Sequence, residues 1–212
     1  IIRPILRGRD IKRYGFDFAD LWLINTHNGI KEKGIPPVDI NQYPAVKTHL
    51  DKYWDKISVR NDKGDTPYNL RNCVYTDDFS KQKILWGEIS DIPKFMLDNS
   101  KDFCISNKAF LLTGNNLPEL LLFLNSSLCQ YYFSTIATTT GEGTVQWLKY
   151  KVELIPVPQF NQNISRMLIS LEKAVDERGL TKDLDNKIDD LIYSLYHFTS
   201  NELDYIKSCI KK

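Results

Sequence analysis

Near residue 159 the spacing of the apolar residues changes, and this change limits the folds available to the chain. Beyond it, apolar residues recur every three or four positions, as on one face of a helix. Three such stripes are present: Ile164, Met167, Leu168, Leu171 and Val175; Leu184, Ile188, Leu191, Ile192 and Leu195; and Leu203, Ile206 and Ile210. Gly179 separates the first two, and Thr199 with Glu202 forms a capping-box pattern before the third. The sequence predicts a helical hairpin and a short helix over residues 160–212.

Before residue 159 the apolar residues come in short runs bounded by Gly, Pro, Asn or Asp, which is typical of strands. These runs are residues 21–24, 83–89, 103–105, 109–112 and 152–157. Helical spacing predicts helices over 43–57 and 117–133, the second with Asn116 as its cap. We therefore predict an α+β fold, in which residues 1–159 form a domain with a mixed or antiparallel twisted sheet and packed helices, and residues 160–212 form a C-terminal helical segment.

Charge is distributed unevenly along the chain. The net charge of +1 does not by itself indicate a polyanionic partner. The first 15 residues, however, have a local charge of +4, because Asp10 stands alone against Arg3, Arg7, Arg9, Lys12 and Arg13. Such a cluster fits a nucleic-acid contact, and the alternative is a solvated face in which Arg13 pairs with Asp10.

The motifs of common nucleotide-binding and methyl-transferring enzymes are absent from the sequence. No glycine-rich turn follows a predicted strand, as S-adenosylmethionine and dinucleotide enzymes require. Residues 34–38 lack the polar and aromatic ends of the catalytic loop of amino-methyltransferases. The four cysteines form no Cys-x-x-Cys pair and the three histidines lie far apart, so no metal site is predicted. We expect this chain to hold no cofactor and to catalyse no reaction.

The sequence also bears on where the protein works. Its longest apolar run, residues 120–124, is far shorter than the roughly 20 residues of a membrane span, and its first residues lack the layout of a signal peptide. Cysteines without a pairing pattern favour a reducing compartment, so we expect a cytoplasmic protein with no membrane partner. Because no Met begins the chain, we also expect it to be part of a longer protein.

Several segments, in this order along the chain, resemble one known family. They are residues 3–14, 43–50, Arg60, Gly64, 67–71, 83–86, 124–128, 153–158 and 188–196, with Thr199 and Glu202 after them. Together they resemble the TaqI-like C-terminal specificity domain of adenine DNA methyltransferases, found in type IIG restriction-modification enzymes. Residues 143–146 are also similar to type I specificity subunits, which share the plan of the recognition domain.

The resemblance implies a bacterial domain that recognises a sequence in double-stranded DNA and supplies target specificity rather than catalysis. It also implies a methyltransferase domain upstream in the same chain, which would bind S-adenosylmethionine. The parent enzyme either only methylates DNA or also cleaves it. The alternative functions are a protein-docking module of a restriction complex and a fragment of a type I-like specificity subunit.

Ten residues are the candidates for DNA contact: Arg3, Arg7, Arg9, Lys12, Arg13, Arg60, Arg71, Lys108, Thr144 and Gln146. Basic side chains hold phosphates, and an arginine can also read a guanine edge. The basic candidates together would neutralise on the order of five phosphates. Arg60 and Arg71 flank a polar turn beside Tyr68, where the alternative is an arginine stacked on a core tyrosine.

The remaining candidates belong to a polar segment. Thr144 and Gln146 lie in or just after the loop 138–144, which DNA could order on binding, and the alternative is a plain surface loop. Three of the four tryptophans are interpreted as core residues rather than as base-stacking platforms: Trp54, Trp86 and Trp147.

Overall fold

The computed structural model describes residues 1–140 and 143–210. The strands, numbered β1 to β11 in chain order, are Ile2–Leu6, Ile11–Lys12, Gly15–Phe16, Trp22–Ile24, Lys83–Gly87, Ile89–Ser90, Phe95–Asp98, Cys104–Ile105, Ala109–Leu112, Thr138–Thr139 and Val145–Gln146. The α-helices, α1 to α8, are Pro44–Asp51, Trp54–Ile57, Leu117–Leu124, Ser127–Ile136, Lys149–Val152, Gln162–Arg178, Lys182–Tyr193 and Ser200–Cys209. Short 3-10 helices lie at Gly8–Asp10, Lys31–Lys33, Ile40–Gln42 and Thr76–Ser80. The predicted α+β class, with helices at the C-terminus, is confirmed.

The chain divides into two compact units that interleave along the sequence. Unit 1 is formed by Ile1–Ile5, Asp20–Lys81 and Asp102–Cys104. Unit 2 is formed by Leu6–Ala19, Gln82–Lys101 and Ile105–Lys212. The C-terminal helices thus group with the middle of the chain. The domain boundary near residue 159 stays a prediction.

Unit 1 contains α1, α2 and a sheet in which β1 pairs with β4 in antiparallel register. The helix predicted over 43–57 is two helices, because the backbone at Tyr53 leaves the helical region (φ −114°, ψ 18°). Trp54 at the start of α2 is 43 % exposed, so its interpretation as a core residue is wrong. Its ring lies 5.4 Å from the ring of Tyr68, centroid to centroid.

In unit 2 a three-stranded antiparallel sheet of order β7-β5-β9 carries the core. The central strand β5 is buried along its whole length. At its first residue, Lys83 pairs with Asp98 of β7, Nζ to Oδ2 2.5 Å, so that two buried charges neutralise each other. Trp86 donates from Nε1 to the carbonyl of Trp147 at 2.8 Å, and the Trp147 ring stacks on Phe133 at 3.8 Å between centroids. Both tryptophans are core residues, as predicted.

The apolar segment 117–133 forms α3 and α4 rather than one helix. Asn125 ends α3, and its side-chain amide exchanges two hydrogen bonds with the backbone of Phe95 in β7, at 2.8 and 3.0 Å. Ser126 then caps α4 by accepting from the backbone N–H of Cys129. Asn116, the predicted cap of the first helix, makes no capping bond and has a left-handed backbone with φ 55°. The break therefore fixes the helices to the sheet.

The strand predicted over 152–157 is wrong. The short helix α5 ends at Val152, and residues 153–158 follow without strand pairing. Val152 and Ile155 are nevertheless buried, so the apolar residues that suggested a strand do serve the core. Pro156 and Pro158 lack the amide hydrogen that a sheet ladder needs, which explains why no strand forms here.

The C-terminal helices α6, α7 and α8 confirm the predicted hairpin and short helix. Gly179 ends α6 with φ 74°, a backbone that favours glycine, and Thr199 and Glu202 form the predicted capping box of α8. Helix α6 packs against α3, and α7 and α8 pack against α4. The stripes supply fully or almost fully buried residues to the core of unit 2: Leu168, Val175, Ile188, Ile192 and Ile206. Over residues 1–140 and 143–210, no helix combines the length and the apolar character needed to cross a membrane.

Candidate nucleic-acid interface

Unit 2 contains an open cleft of about 510 Å³, which we call the basic cleft. It is lined by Arg7, Gly8, Arg9, Glu88, Ile89, Ser106, Asn107 and Lys108. These residues come from the 3-10 turn after β1, from the junction of β5 and β6, and from the loop before β9. The cleft thereby brings together three of the predicted DNA-binding residues, Arg7, Arg9 and Lys108, although Lys108 lies about 100 residues after the two arginines in the chain.

Two glycines let the backbones meet at the cleft. A Cβ on Gly8 would lie 2.4 Å from the carbonyl oxygen of Lys108, and one on Gly87 would lie 2.7 Å from the carbonyl oxygen of Gly8. In addition, the backbone N–H of Glu88 donates to the carbonyl of Lys108 at 3.1 Å. The three segments are therefore held at a distance that only glycine permits.

We expect Gly8→Ala to destabilise the protein by about 1–3 kcal/mol, because the new methyl group meets a backbone carbonyl that cannot move alone. Urea unfolding followed by circular dichroism measures the effect. Gly15→Ala is the matched control, since nothing lies within 4 Å of a Cβ there. A Gly8→Ala protein as stable as the Gly15→Ala protein would contradict the close approach.

Arg7 is held in place by Asp10. Its Nε donates to Oδ2 at 2.9 Å and its NH2 donates to Oδ1 at 2.7 Å, while the backbone N–H of Arg7 also donates to Oδ2. These bonds to Arg7 hold the pKa of the buried Asp10 carboxyl below its usual value. The local partner of Asp10 is thus Arg7, and the alternative that paired it with Arg13 is wrong. Arg7 keeps 34 % of its side chain exposed beside the cleft.

Arg9 and Lys108 are the more accessible cations of the cleft. Arg9 is exposed, and its guanidinium makes no hydrogen bond to the described part of the chain. Lys108 is 69 % exposed, and its Nζ lies 2.9 Å from Oε2 of Glu88. The lysine end of this pair is exposed to solvent, so the Lys108 ammonium can turn to another partner. Lys12, nearby in sequence, donates to the carbonyl of Arg9 at 3.0 Å and lies 3.3 Å from Asp17.

A small sheet of order β10-β11-β6 continues from the cleft. Gln146 of β11 pairs with Ile89 of β6, which lines the cleft and is 53 % exposed. Thr144 precedes β11, and its hydroxyl lies 2.5 Å from that of Thr140. Gln146 is therefore one strand away from the cleft. Residues 141–142 of the predicted polar loop lie outside the described residues.

The guanidinium groups of Arg3 and Arg13, by contrast, are hydrogen-bonded to other parts of the protein. In unit 1, Arg3 donates to the carbonyls of Asp102 and Phe79 and to the hydroxyl of Ser80, at 2.9 to 3.1 Å. In unit 2, the guanidinium of Arg13 donates to both carboxylate oxygens of Asp185 in α7, at 2.9 and 2.6 Å. Both arginines therefore hold distant segments of the chain together.

Arg60 and Arg71 belong to unit 1 and are not part of the basic cleft. Arg60 donates from NH2 to the carbonyls of Pro67 and Asn69, at 3.2 and 2.5 Å, and so closes the polar turn that it was predicted to flank. The neighbouring Tyr68 donates a hydrogen bond from its hydroxyl to Asp51 at 2.6 Å. Arg71 is exposed.

Part of the cleft was not predicted from the sequence. Glu88, Ser106 and Asn107 line it beside the predicted basic residues. A signal was present, because Ser106, Asn107 and Lys108 form a polar triplet between two predicted strands, which places them on a turn at a sheet end. Glu88 gave no such signal, since it lies inside the run 83–89 that was predicted as one strand.

The comparison with protein families agrees with the resemblance drawn from the sequence. The family model described as the TaqI-like C-terminal specificity domain matches residues 3–157, which include every residue of the basic cleft. Among curated proteins, none matches the chain. A match over this share of the chain shows the family. The chain belongs to the TaqI-like C-terminal specificity domains, the DNA-recognition domains of restriction-modification enzymes.

Proposed function

We propose that this chain gives an adenine-specific DNA methyltransferase of a bacterial restriction-modification system its target sequence, and that it does not itself transfer the methyl group. In this proposal the chain binds double-stranded DNA in the cytoplasm. A methyltransferase domain upstream in the same polypeptide binds S-adenosylmethionine and carries out the reaction. The observation that carries the proposal is the convergence of Arg7, Arg9 and Lys108 at one open cleft.

The groups lining the cleft suit a duplex. Arg9 and Lys108 are exposed cations, the type of side chain that commonly contacts phosphates. Ser106 and Asn107 add side chains that can donate to phosphates or base edges. Ile89 offers an exposed apolar surface of the kind that contacts a thymine methyl group.

Fewer phosphates are expected to be bound than the sequence suggested. Arg3, Arg13 and Arg60 donate to protein acceptors and do not line the cleft. The cations that line it are Arg7, Arg9 and Lys108, and Arg7 keeps 34 % of its side chain exposed beside its pair with Asp10. Three phosphate contacts give a slope of about −3 for log affinity against log salt concentration. The affinity of the isolated chain is expected to lie in the range of about 10 to 100 µM at physiological salt.

Fluorescence anisotropy of a labelled mixed-sequence duplex tests the proposal. Titrations with the full chain between about 50 and 200 mM salt should give binding that weakens with a slope near −3. Absence of binding at the lowest salt would contradict it, and so would an affinity that does not respond to salt.

One observation favours a second candidate function, the docking of another protein. Tyr150, Leu154 and Val157 of unit 2 are 58 %, 59 % and 48 % exposed, close together in sequence. Exposed apolar residues of this kind can contact another domain or subunit. Failure of the chain to bind any duplex would favour this function. The same result would fit a fragment of a type I-like specificity subunit that works only in its complex.

A further inference from the structure

A carboxylate lies among the cations of the basic cleft. Of the eight described residues that line the cleft, only Glu88 is acidic. A carboxylate facing DNA is repelled by the phosphates unless a donor on the DNA satisfies it. If the cleft binds DNA, as proposed above, Glu88 needs such a donor.

The backbone of Glu88 is fixed on both sides. Its N–H donates to the carbonyl of Lys108 at 3.1 Å, and its carbonyl accepts from the N–H of Trp147 at 2.7 Å. Trp147 is itself buried in the core of unit 2. The preceding residue, Gly87, is held against Gly8. The Glu88 side chain therefore starts from a rigid support, which is what a contact that discriminates between bases requires.

Without DNA, the carboxylate has a partner that it can give up. Oε2 of Glu88 lies 2.9 Å from Nζ of Lys108, whose side chain is 69 % exposed, whereas that of Glu88 is 16 % exposed. The long, exposed lysine side chain can turn to a phosphate, and the mostly buried carboxylate then costs free energy unless the DNA supplies a donor. The Glu88 carboxylate then no longer has its lysine donor, and a donor on a base edge can take the place of the lysine.

The hydrogen-bonding groups on the base edges determine which base can supply this donor. A carboxylate only accepts hydrogen bonds, and in the major groove cytosine presents the N4 amine with no acceptor beside it. Adenine places its N7 acceptor next to N6, and guanine and thymine present acceptors. The guanine of the same pair offers two acceptors, which suit Arg9 on the same cleft. We infer that Glu88 reads a cytosine of the recognised sequence by accepting a hydrogen bond from its N4 amine, an inference that rests on the proposed function.

Selection from a randomised duplex pool tests this inference with the full chain. The wild type should retain a C·G pair at one position, and Glu88→Gln should accept other pairs there. The matched control is Glu153→Gln, which removes the same charge from an exposed pair with Lys149 (Oε1 to Nζ 3.6 Å) outside the cleft. This control should select the same sequence as the wild type.

A duplex that carries pyrimidin-2-one in place of the selected cytosine then removes only the amine. The wild type should bind it about tenfold or more weakly than the parent duplex, because a hydrogen bond to a charged group is removed. Glu88→Gln should bind the two duplexes more nearly alike.

Three results would overturn the inference. In the first, Glu88→Gln gains affinity for all duplexes equally with an unchanged preference, which assigns Glu88 to the ion pair alone. In the second, the wild type binds DNA without selecting any C·G pair, which leaves the proposed function standing. In the third, the wild type binds no duplex at low salt, and the proposed function fails as well.

Discussion

Removing residues 161–212 is expected to leave a chain that does not unfold cooperatively. The stripes of α6 to α8 place Leu168, Ile188 and Ile192, all 0 % exposed, in the core of unit 2. Each fully buried side chain of this kind contributes about 1.5–3 kcal/mol, and a whole domain is stable by only about 5–15 kcal/mol. The truncation also takes Asp185 from Arg13. A thermal melt followed by circular dichroism measures the effect.

Point variants distinguish this packing from a general effect of truncation. Ile188→Ala should cost about 2–5 kcal/mol in urea unfolding, because it leaves a cavity between α7 and the core. Met167→Ala in α6 is the control, since Met167 is 48 % exposed, and a surface change usually costs within about 0.5 kcal/mol. A truncated chain that melts at the temperature of the full chain would contradict this account and would support a domain boundary near residue 159.

Replacing Arg9 and Lys108, the two accessible cations of the cleft, should weaken DNA binding more than replacing cations outside the cleft. The double variant Arg9→Glu with Lys108→Gln is expected to weaken binding at low salt by roughly tenfold for each phosphate that is no longer held by a cation. The slope of log affinity against log salt concentration should become shallower by about 2, from about −3 to about −1. Anisotropy titrations with the labelled duplex give both quantities.

A matched double variant controls for net charge. Arg166→Glu with Lys182→Gln changes the charge by the same amount on exposed residues of α6 and α7 that do not line the cleft. It should bind nearly as the wild type does. If this control weakens binding as much as the cleft variant does, Arg9 and Lys108 affect binding only through the net charge of the protein. That result would contradict DNA binding at the cleft.

Much of the α-helical part could be predicted from the sequence because its signals are local. The stripes of α6 and α7 repeat over many residues, and the capping box of α8 lies within four residues. The break at Asn125 was missed because its cause is distant, namely hydrogen bonds to Phe95, 30 residues earlier. The strand predicted over 152–157 failed because apolar composition outweighed the effect of two prolines.

The site was predictable only in part, for a similar reason. Five basic residues near the N-terminus look alike in sequence, yet Arg13 pairs with Asp185, 172 residues away, whereas Arg9 stays exposed. The sequence does not reveal which arginines find such partners. Nor does it reveal that Gly8 meets the carbonyl of Lys108, the approach that brings the cations of the cleft together.

Binding of DNA at the basic cleft of unit 2 can be tested with backbone amide chemical shifts. We expect that NMR spectra of the full chain, recorded as a duplex is added at low salt, will change most at residues 7–9, 88–89 and 106–108. The amides of Arg166 and Lys182 should change little. Shifts confined to unit 1 or to α6–α8, with the cleft unaffected, would contradict binding at the cleft.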